Sequence, residues 1–580
     1  MYNTKMNEQR DVISVFHETA VKYADKTAIA SADISLTYKQ LDEESSRIAS
    51  MLISSGIKNE DIIAIFADRS AATITAILGI LKAGGAYLPI DILLPDERIE
   101  SMLINGRAGA VINSCLARQS TRNIIVKNKI IDIDISQSRN FSPAPVNNRI
   151  SGNSLSYIIF TSGSEGDPKG VMIEDSGIIR LVFDQDYFPI SSSWNILQSG
   201  TISFDASTFD IFGALLNGAT LFLSDQEMLL STEKLKDTIT NKHIDMMFLT
   251  TPLFHQHVNV DPTVFSGMKC LITGGDILPV RDAERILESL PSLHFFNAYG
   301  PTENTSFSTL FEVKLPVTDN IPIGKAISHS TAYILDENGK EAENGETGEL
   351  YLGGEGVGRG YINSPELTAE KFLPDPFTGG MMYKTGDLAK WDENGNILFM
   401  GRADSQIKLR GFRIELREII NAINSCSGVA DSFVMCDTTG GEKNIIAFVK
   451  FTAEENTHSL RDELKTRLPS YMIPVDIIPV RNMPLKLNGK VDSAQLLEYR
   501  KEVMAERARN SSGNHITDIL NSQLNTVVGL DDDLYELGLD SLSAIRVSAE
   551  LKKMGYPISL KDMFMISTAR ELTELIEKKQ

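Results

Sequence analysis

Cysteine is scarce in this chain: four in 580 residues, Cys115, Cys270, Cys426 and Cys436, none in CxxC spacing. That excludes a disulfide-built secreted scaffold and reads as buried or free thiols in a reducing compartment. Histidine is nearly as rare, at eight residues, and the one close pair, His255 and His257, has no third ligand nearby, which argues against a metal centre. Long apolar runs are missing. No stretch of 18 apolar residues occurs, and the N-terminal MYNTKMNEQRDVISVF has no apolar signal core, so a soluble cytoplasmic protein without a membrane segment is expected. Positive charge is in deficit as well. Lys and Arg total 56 against 77 Asp and Glu, a formal net charge of −21, which argues against nucleic acid or an anionic lipid surface as partner. Internal repeats and low-complexity tracts are absent too.

What remains is ordinary globular material, 42% hydrophobic and 23% charged. At about 150 residues per domain the length suggests two to four domains. In residues 1–402 short β-branched runs alternate with helical patterns. Ile62-Ile63-Ala64-Ile65-Phe66 precedes a helix through Ile74, Ile77 and Leu81, and Cys270-Leu271-Ile272 runs into Gly274-Gly275. This alternation predicts an α/β fold with mostly parallel sheets. Turn signals at Asp336-Glu337-Asn338-Gly339, Glu343-Asn344-Gly345 and Asp392-Glu393-Asn394-Gly395 mark a β-rich section at its end. Residues 403–500 read as a small α+β unit, and 501–514 (KEVMAERARNSSGN) as a polar linker. Residues 515–580 read as all-helical, with Ile516, Ile519 and Leu520 on a first amphipathic helix, Ser541 to Met554 on a second and Thr568 to Lys578 on a last one.

One stretch speaks directly of chemistry. Thr161 to Gly170 reads TSGSEGDPKG directly after the apolar run Tyr157-Ile158-Ile159-Phe160. A buried strand emptying into a loop of glycines, hydroxyls and a lysine presents N–H groups, O–H donors and a cation to a small anion such as polyphosphate. It is not a Walker A loop, because no Gly-Lys-Ser/Thr follows the first glycine at the required spacing. Nor is Gly354-Glu355-Gly356-Val357-Gly358-Arg359-Gly360 a dinucleotide fingerprint: its glycine spacing is wrong and no long helix pattern follows. Asn297-Ala298-Tyr299-Gly300-Pro301-Thr302-Glu303 offers an aromatic face for a purine and a carboxylate for Mg²⁺. Asp387, in Tyr383-Lys384-Thr385-Gly386-Asp387-Leu388, is a single carboxylate able to accept from two hydroxyls.

Ending in Pro168-Lys169-Gly170, the glycine-rich loop resembles the phosphate loop of the adenylate-forming superfamily, which includes acyl-CoA synthetases, luciferases and the adenylation domains of nonribosomal peptide synthetases. Leu36-Thr37-Tyr38, Leu81 to Pro89, Gly354 to Gly360 and the blocks above match it in the same order. The resemblance implies a large α/β subdomain with sheets and a β-barrel, a small mobile α+β subdomain and a four-helix carrier domain. It implies ATP and Mg²⁺, held by Thr161, Ser162, Gly163, Ser164, Gly166, Lys169, Asn297, Ala298, Tyr299, Gly300, Thr302, Asp387 and Arg402, with Tyr299 stacking adenine, Asp387 taking the ribose and Glu303 serving the metal. Glu165 stands where the family usually has Thr or Ser, and in so glycine-rich a loop its side chain can turn to solvent. Gly401-Arg402-Ala403-Asp404 and the segment to Glu415 resemble the hinge, with Asp404 as pivot; Arg417 for Gly and Ile420 for Glu depart from the pattern. Lys490, in Asn488-Gly489-Lys490-Val491-Asp492, resembles the lysine that bridges the substrate carboxylate and the α-phosphate. Thr161, Glu303 and Lys490 are thus the expected catalytic set, a cation being suited to charge building at the attacked phosphorus.

Leu537-Gly538-Leu539-Asp540-Ser541-Leu542 resembles the attachment motif of a peptidyl carrier, with Ser541 bearing 4′-phosphopantetheine; alone it would be a capped helix start. Phe204 to Asp210 resembles the block that opens an amino-acid pocket, whose aspartate, here Asp205, pairs with the substrate ammonium. Counting from these anchors gives Ala206, Phe209, Leu249, Ile272, Gly274, Ala298, Ser306 and Phe307 as the other pocket positions, Leu249 being anchored only by Pro252. The set is apolar and suits an aliphatic side chain such as valine, isoleucine or leucine. The expected function is activation of an amino acid as aminoacyl-AMP and its loading as a thioester on Ser541. A phosphopantetheinyl transferase, downstream enzymes acting in trans and a small helper protein are the expected partners. A ligase for a non-amino carboxylic acid and a degenerate adenylation domain kept as a carrier scaffold are the alternatives.

Overall fold

The computed structural model describes the chain except residues 1–9, 32–33, 113–115, 117, 144–150, 164–167, 184, 186, 404–405, 410, 439–442, 453–455, 486–490, 511–514, 525, 536, 540 and 580, and the side chains of 507–510 and 541–542. It divides into two compact units, residues 1–162 with 168–411, and residues 163–167 with 412–580.

The first unit is α/β, as its alternating pattern predicts. One sheet of seven described strands runs Gly360–Tyr361, Lys169–Glu174, Leu155–Thr161, Ala86–Ile90, Ile62–Phe66, Ala110–Ile112, Ile131–Ile133. Its centre is parallel, and every residue of Ile62–Phe66 and Ala86–Ile90 is buried, as strands covered on both faces must be. Some helices are started by side-chain caps. Thr37 and Gln40 form a reciprocal capping box at Tyr38–Ser54, and Ser70 accepts from the Thr73 amide at Ala71–Lys82.

A second sheet of nine described strands has Asn195–Gln198, Met246–Thr250, Cys270–Gly274 and His294–Tyr299 as parallel neighbours. One hydrophobic core joins the two sheets through Ile63, Tyr157, Phe209, Ile272 and Phe307, and a separate one, with Leu249, Leu271 and Phe295, fills the other face of the nine-stranded sheet. The β-rich section is a five-stranded antiparallel sheet of Ser330–Leu335, Gly348–Gly354, Met381–Trp391, Phe372–Pro374 and Ile397–Arg402. Among the described strands no pairing closes it into the expected barrel.

The second unit contains a three-stranded sheet, Val429–Asp437 antiparallel to Asn444–Phe451, which is parallel to Asp476–Pro479. Arg500 ties it together, with Nη1 2.6 Å from Asp437 and Nη2 2.6 Å from Asp476. Arg500 lies on the helix Ser493–Asn510, so the segment 501–510, expected to be linker, is helical; its Lys, Glu, Met, Ala and Arg are strong helix formers as well as polar. Among the described residues four helices follow, His515–Leu524, Ser541–Lys553, Leu560–Met563 and Ala569–Lys579, around a core of Leu520, Leu534, Val547, Leu551, Met563 and Leu572. Thr526 Oγ1 donates to Asp476 Oδ1 at 3.1 Å, which binds this helical domain to the sheet before it.

Candidate active site

The parallel strand His294–Tyr299 sorts the site by alternation. Asn297 and Tyr299 point to one face and Ala298 to the other, because successive side chains on a strand alternate. On the first face the Tyr299 hydroxyl donates to Asp387 Oδ2, and Arg402 Nη1 donates to Asp387 Oδ1. Asp387 and Arg402 are register partners on adjacent strands, and Arg402 Nη2 also reaches the Thr385 carbonyl at 3.3 Å. Burial, with the Asp387 carboxylate second, pushes the Tyr299 phenol well above its ordinary range, so it remains a donor. A carboxylate has about four acceptor positions, so Asp387 keeps capacity for two hydroxyls of a ribose. Lys408 Nζ lies 5.2 Å from the Tyr299 ring centroid. Asn297 Nδ2 donates to the Pro322 carbonyl at 2.9 Å.

Thr161 ends the strand Leu155–Thr161, and its register partner Lys169 opens the next. The Thr161 hydroxyl oxygen is buried without a hydrogen-bond partner among the described residues, the condition of a group that a phosphate oxygen would satisfy. Ser162 is buried beside it and Gly163 continues the loop, while Ser164, Glu165 and Gly166 lie outside the described residues. Lys169 Nζ is 3.6 Å from Glu303 Oε1 and 4.9 Å from the Tyr361 ring. Tyr361 donates to the same Glu303 oxygen at 2.7 Å and shares a 3.2 Å contact with the Tyr383 hydroxyl. Glu303 has no solvent exposure. A buried carboxylate flanked by a lysine and a phenol fits a Mg²⁺ carried on phosphates. Tyr361 and Tyr383 were not among the expected site residues; nothing in a lone tyrosine marks it, although Tyr383 opens the Asp387 block.

On the opposite face Ile272, Gly274 and Ala298 share one side of adjacent strands, with Phe209 and Phe307 against them at 5.2 Å between ring centroids. An added Cβ at Gly274 would stand 2.5 Å from the Ala298 carbonyl oxygen, so only glycine fits that close approach. Ser306 lies in the left-handed region at φ 68° and Gly300 sits where an added Cβ would overlap Ser306 and Phe307. Asp205 and Ala206 open the helix Ala206–Leu215. Thr302, expected on the nucleotide, donates its hydroxyl to Asp205 Oδ2. Burial pushes the Asp205 carboxyl above its ordinary range. The Thr302 and Ala206 hydrogen bonds and the Lys408 ammonium pull it back, and Glu303 adds to the rise. A carboxyl in that condition gains strongly from an arriving ammonium.

Leu249 is not part of this group. Its register partner is Thr273, and it packs in the core on the far side of the sheet. Phe248, paired with Ile272, takes the pocket face in its place. Lys490 and the hinge residue Asp404 lie outside the described residues, and the division between the two units falls shortly after the latter, at Gly411. Ser541 is the first residue of the helix Ser541–Lys553.

Residues 16–362 match the AMP-binding enzyme family, and residues 514–576 match the phosphopantetheine attachment site. The chain belongs to the AMP-binding enzyme family. Members are ATP-dependent adenylate-forming ligases that use Mg²⁺, and the attachment domain brings 4′-phosphopantetheine. The chain is 38% identical to tyrocidine synthase 3 of Brevibacillus parabrevis, over 96% of its own length and 9% of that protein. It is 37% identical to gramicidin S synthase 2 of Brevibacillus brevis, over 99% of its length and 13% of that protein. It thus spans less than a quarter of either relative. It also resembles the solved structure of holo-PA1221, a nonribosomal peptide synthetase protein containing adenylation and PCP domains bound to a vinylsulfonamide inhibitor. That likeness has a TM-score of 0.87 and 29% identity, and covers 98% of this chain and 97% of that one. Like such proteins, this AMP-binding enzyme joins an adenylation domain to a peptidyl carrier. No helix among the described residues is long and apolar enough to cross a membrane.

Proposed function

We propose that this chain activates an α-amino acid with an aliphatic side chain and loads it on its own carrier for peptide or related biosynthesis. The observation that carries the reading is Asp205, a carboxylate lodged beside an apolar pocket of Phe209, Phe248, Ile272, Ala298 and Phe307. The substrate ammonium would pair with Asp205, and its side chain would enter the pocket, where no counter-charge supports a charged group. The substrate carboxylate attacks the α-phosphorus of ATP, forming an acyl–phosphate bond as the bond to pyrophosphate breaks. Thr161, Lys169 and Glu303 would hold the phosphates and their Mg²⁺, Asp387 the ribose, and Lys490 the carboxylate and α-phosphate. Phosphopantetheine on Ser541 would supply the thiol that takes the aminoacyl group as the acyl–phosphate bond breaks and AMP leaves. A phosphopantetheinyl transferase, enzymes acting in trans on the loaded carrier and a small helper protein are the proposed partners.

The test is amino-acid-dependent ATP–pyrophosphate exchange across a substrate panel. Valine, isoleucine or leucine should give the highest exchange, and Asp205→Ala should reduce it at least about a hundredfold, the loss of a buried charge pair. Exchange with a carboxylic acid lacking the amino group, unaffected by Asp205→Ala, would move the assignment to a non-amino acid. One methylene is worth only about 1–3 kcal/mol in such a pocket, so the three aliphatic residues should compete closely.

A further inference from the structure

Arg180 lies on the helix Asp175–Val182 and has no solvent exposure. Its side chain spends its hydrogen bonds on one short turn. Nη1 donates to the Phe307 carbonyl at 2.7 Å. Nη2 donates to the Asn304 carbonyl at 2.5 Å and to Asn304 Oδ1 at 2.9 Å, with the Thr305 carbonyl at 3.5 Å. Within that turn Thr305 and Ser306 stand at φ 49° and 68°, a left-handed conformation that non-glycine residues leave unless their surroundings hold them. The turn carries Ser306 and Phe307 into the amino-acid pocket, immediately after Glu303.

The surroundings are cut to admit the guanidinium. An added Cβ at Gly356 would overlap both Arg180 Nη2 and Asn304 Oδ1, and one at Gly177, on the same helix as Arg180, would overlap Thr305 Oγ1. Thr305 Oγ1 in turn donates to the Gly356 carbonyl at 2.7 Å. Burial pulls the guanidinium down to about 10, which leaves it charged at neutral pH. A planar fork of donors can hold several carbonyls at fixed angles, which an ammonium cannot.

We infer that Arg180 is a positioning residue that sets amino-acid affinity by clamping the turn Asn304 to Phe307, without touching the substrate. The inference rests on the pocket assignment given above. It extends the site to a helix that none of the family blocks includes.

Three variants of the full chain test it: Arg180→Met, Arg180→Lys and Gly356→Ala. The first readout needs no substrate. The amides of Asn304, Thr305 and Ser308 donate to the carbonyls of Pro301, Thr302 and Tyr299, so they have protection to lose. Hydrogen exchange of the peptide spanning residues 302–309 should speed up roughly tenfold or more in Arg180→Met and Gly356→Ala, with the strand Ile62–Phe66 unchanged. The second readout is pyrophosphate exchange with the best amino acid. Its KM should rise about tenfold in Arg180→Met, less in Arg180→Lys, with the KM for ATP within about twofold of the parent. Unchanged protection in the 302–309 peptide overturns the clamp, and so does an equal rise of both KM values. If Arg180→Met does not fold, Arg180→Lys decides, since it keeps the charge and loses the fork of donors: unchanged protection of the 302–309 peptide in it overturns the clamp. Absence of exchange with every amino acid in the parent protein would refute the functional reading alone, because hydrogen exchange would still judge the clamp.

Discussion

Asp205 immediately precedes the helix Ala206–Leu215 and Asp210 lies within it, and burial raises both carboxyls. Asp205 is the residue proposed to meet the substrate ammonium; Asp210 has no solvent exposure and takes no part in the proposed chemistry. Its Oδ2 accepts from the amides of Ser199 at 2.9 Å and Gly200 at 3.0 Å, while Oδ1 has no hydrogen-bond partner among the described residues. Arg69 is near enough to favour the charged form, yet its guanidinium is bonded to the carbonyls of Ser199 and Gly200. Burial outweighs these and raises the Asp210 carboxyl from 3.8 to about 7. The folded protein therefore keeps a proton that the unfolded chain has already released in that window. Stability from this group is present below about pH 4 and is lost as the pH rises towards 7. The effect is on the order of 4 kcal/mol. Asp210→Asn imitates the protonated form, so its Tm should exceed that of the parent increasingly between pH 4.5 and 7.5, by scanning calorimetry. Parallel Tm curves across that range would show that the carboxyl is ionised throughout.

At the scale of elements, the motifs located the turns and strand ends well. The apolar run before the phosphate loop is the strand Leu155–Thr161, and the turn signals at Asp336 to Gly339 and Asp392 to Gly395 follow the strands Ser330–Leu335 and Met381–Trp391, because glycine and turn residues act locally. What the motifs left open was which way a side chain points. A strand has a period of two, so an error of one residue moves a side chain to the other face of the sheet. Counting back from Pro252 selected Leu249, whereas pairing of Phe248 with Ile272 puts Phe248 on the pocket face. Arg180 and Tyr361 were hidden for a related reason: their partners are distant in sequence, at Asn304 to Phe307 and at Glu303. The helix through 501–510 was obscured because polar helix formers also compose linkers. The register makes two neighbouring residues behave differently. Leu249→Ala should destabilise the protein by about 2–5 kcal/mol in urea denaturation with substrate preference unchanged. Phe248→Ala should shift the exchange profile towards bulkier amino acids. The reverse pattern would restore Leu249 to the pocket.

At the scale of the whole molecule, the residues assigned to adenylation and to loading are distributed unevenly. Asp205, Glu303 and Asp387 belong to the first unit, while Lys490 and Ser541 both belong to the second. Sharing a unit does not make these two residues serve the same step. Lys490 is proposed to offset the negative charge that builds as the amino-acid carboxylate meets ATP. Ser541, at the head of its helix, is proposed only to bear the arm, and the helical domain around it has its own core of Leu520, Val547 and Leu572. A phosphopantetheinyl transferase recognises that domain as a folded object, so loss of the lysine should leave modification intact. Lys490→Ala should thus reduce pyrophosphate exchange by at least about a hundredfold, while intact-protein mass spectrometry still finds the phosphopantetheine adduct. Ser541→Ala should do the opposite, keeping exchange within about twofold of the parent and retaining no radiolabelled amino acid after acid precipitation. Covalent label on the Ser541→Ala chain would place the attachment elsewhere. Loss of exchange in that variant would mean that the two steps depend on each other through more than the shared aminoacyl-adenylate.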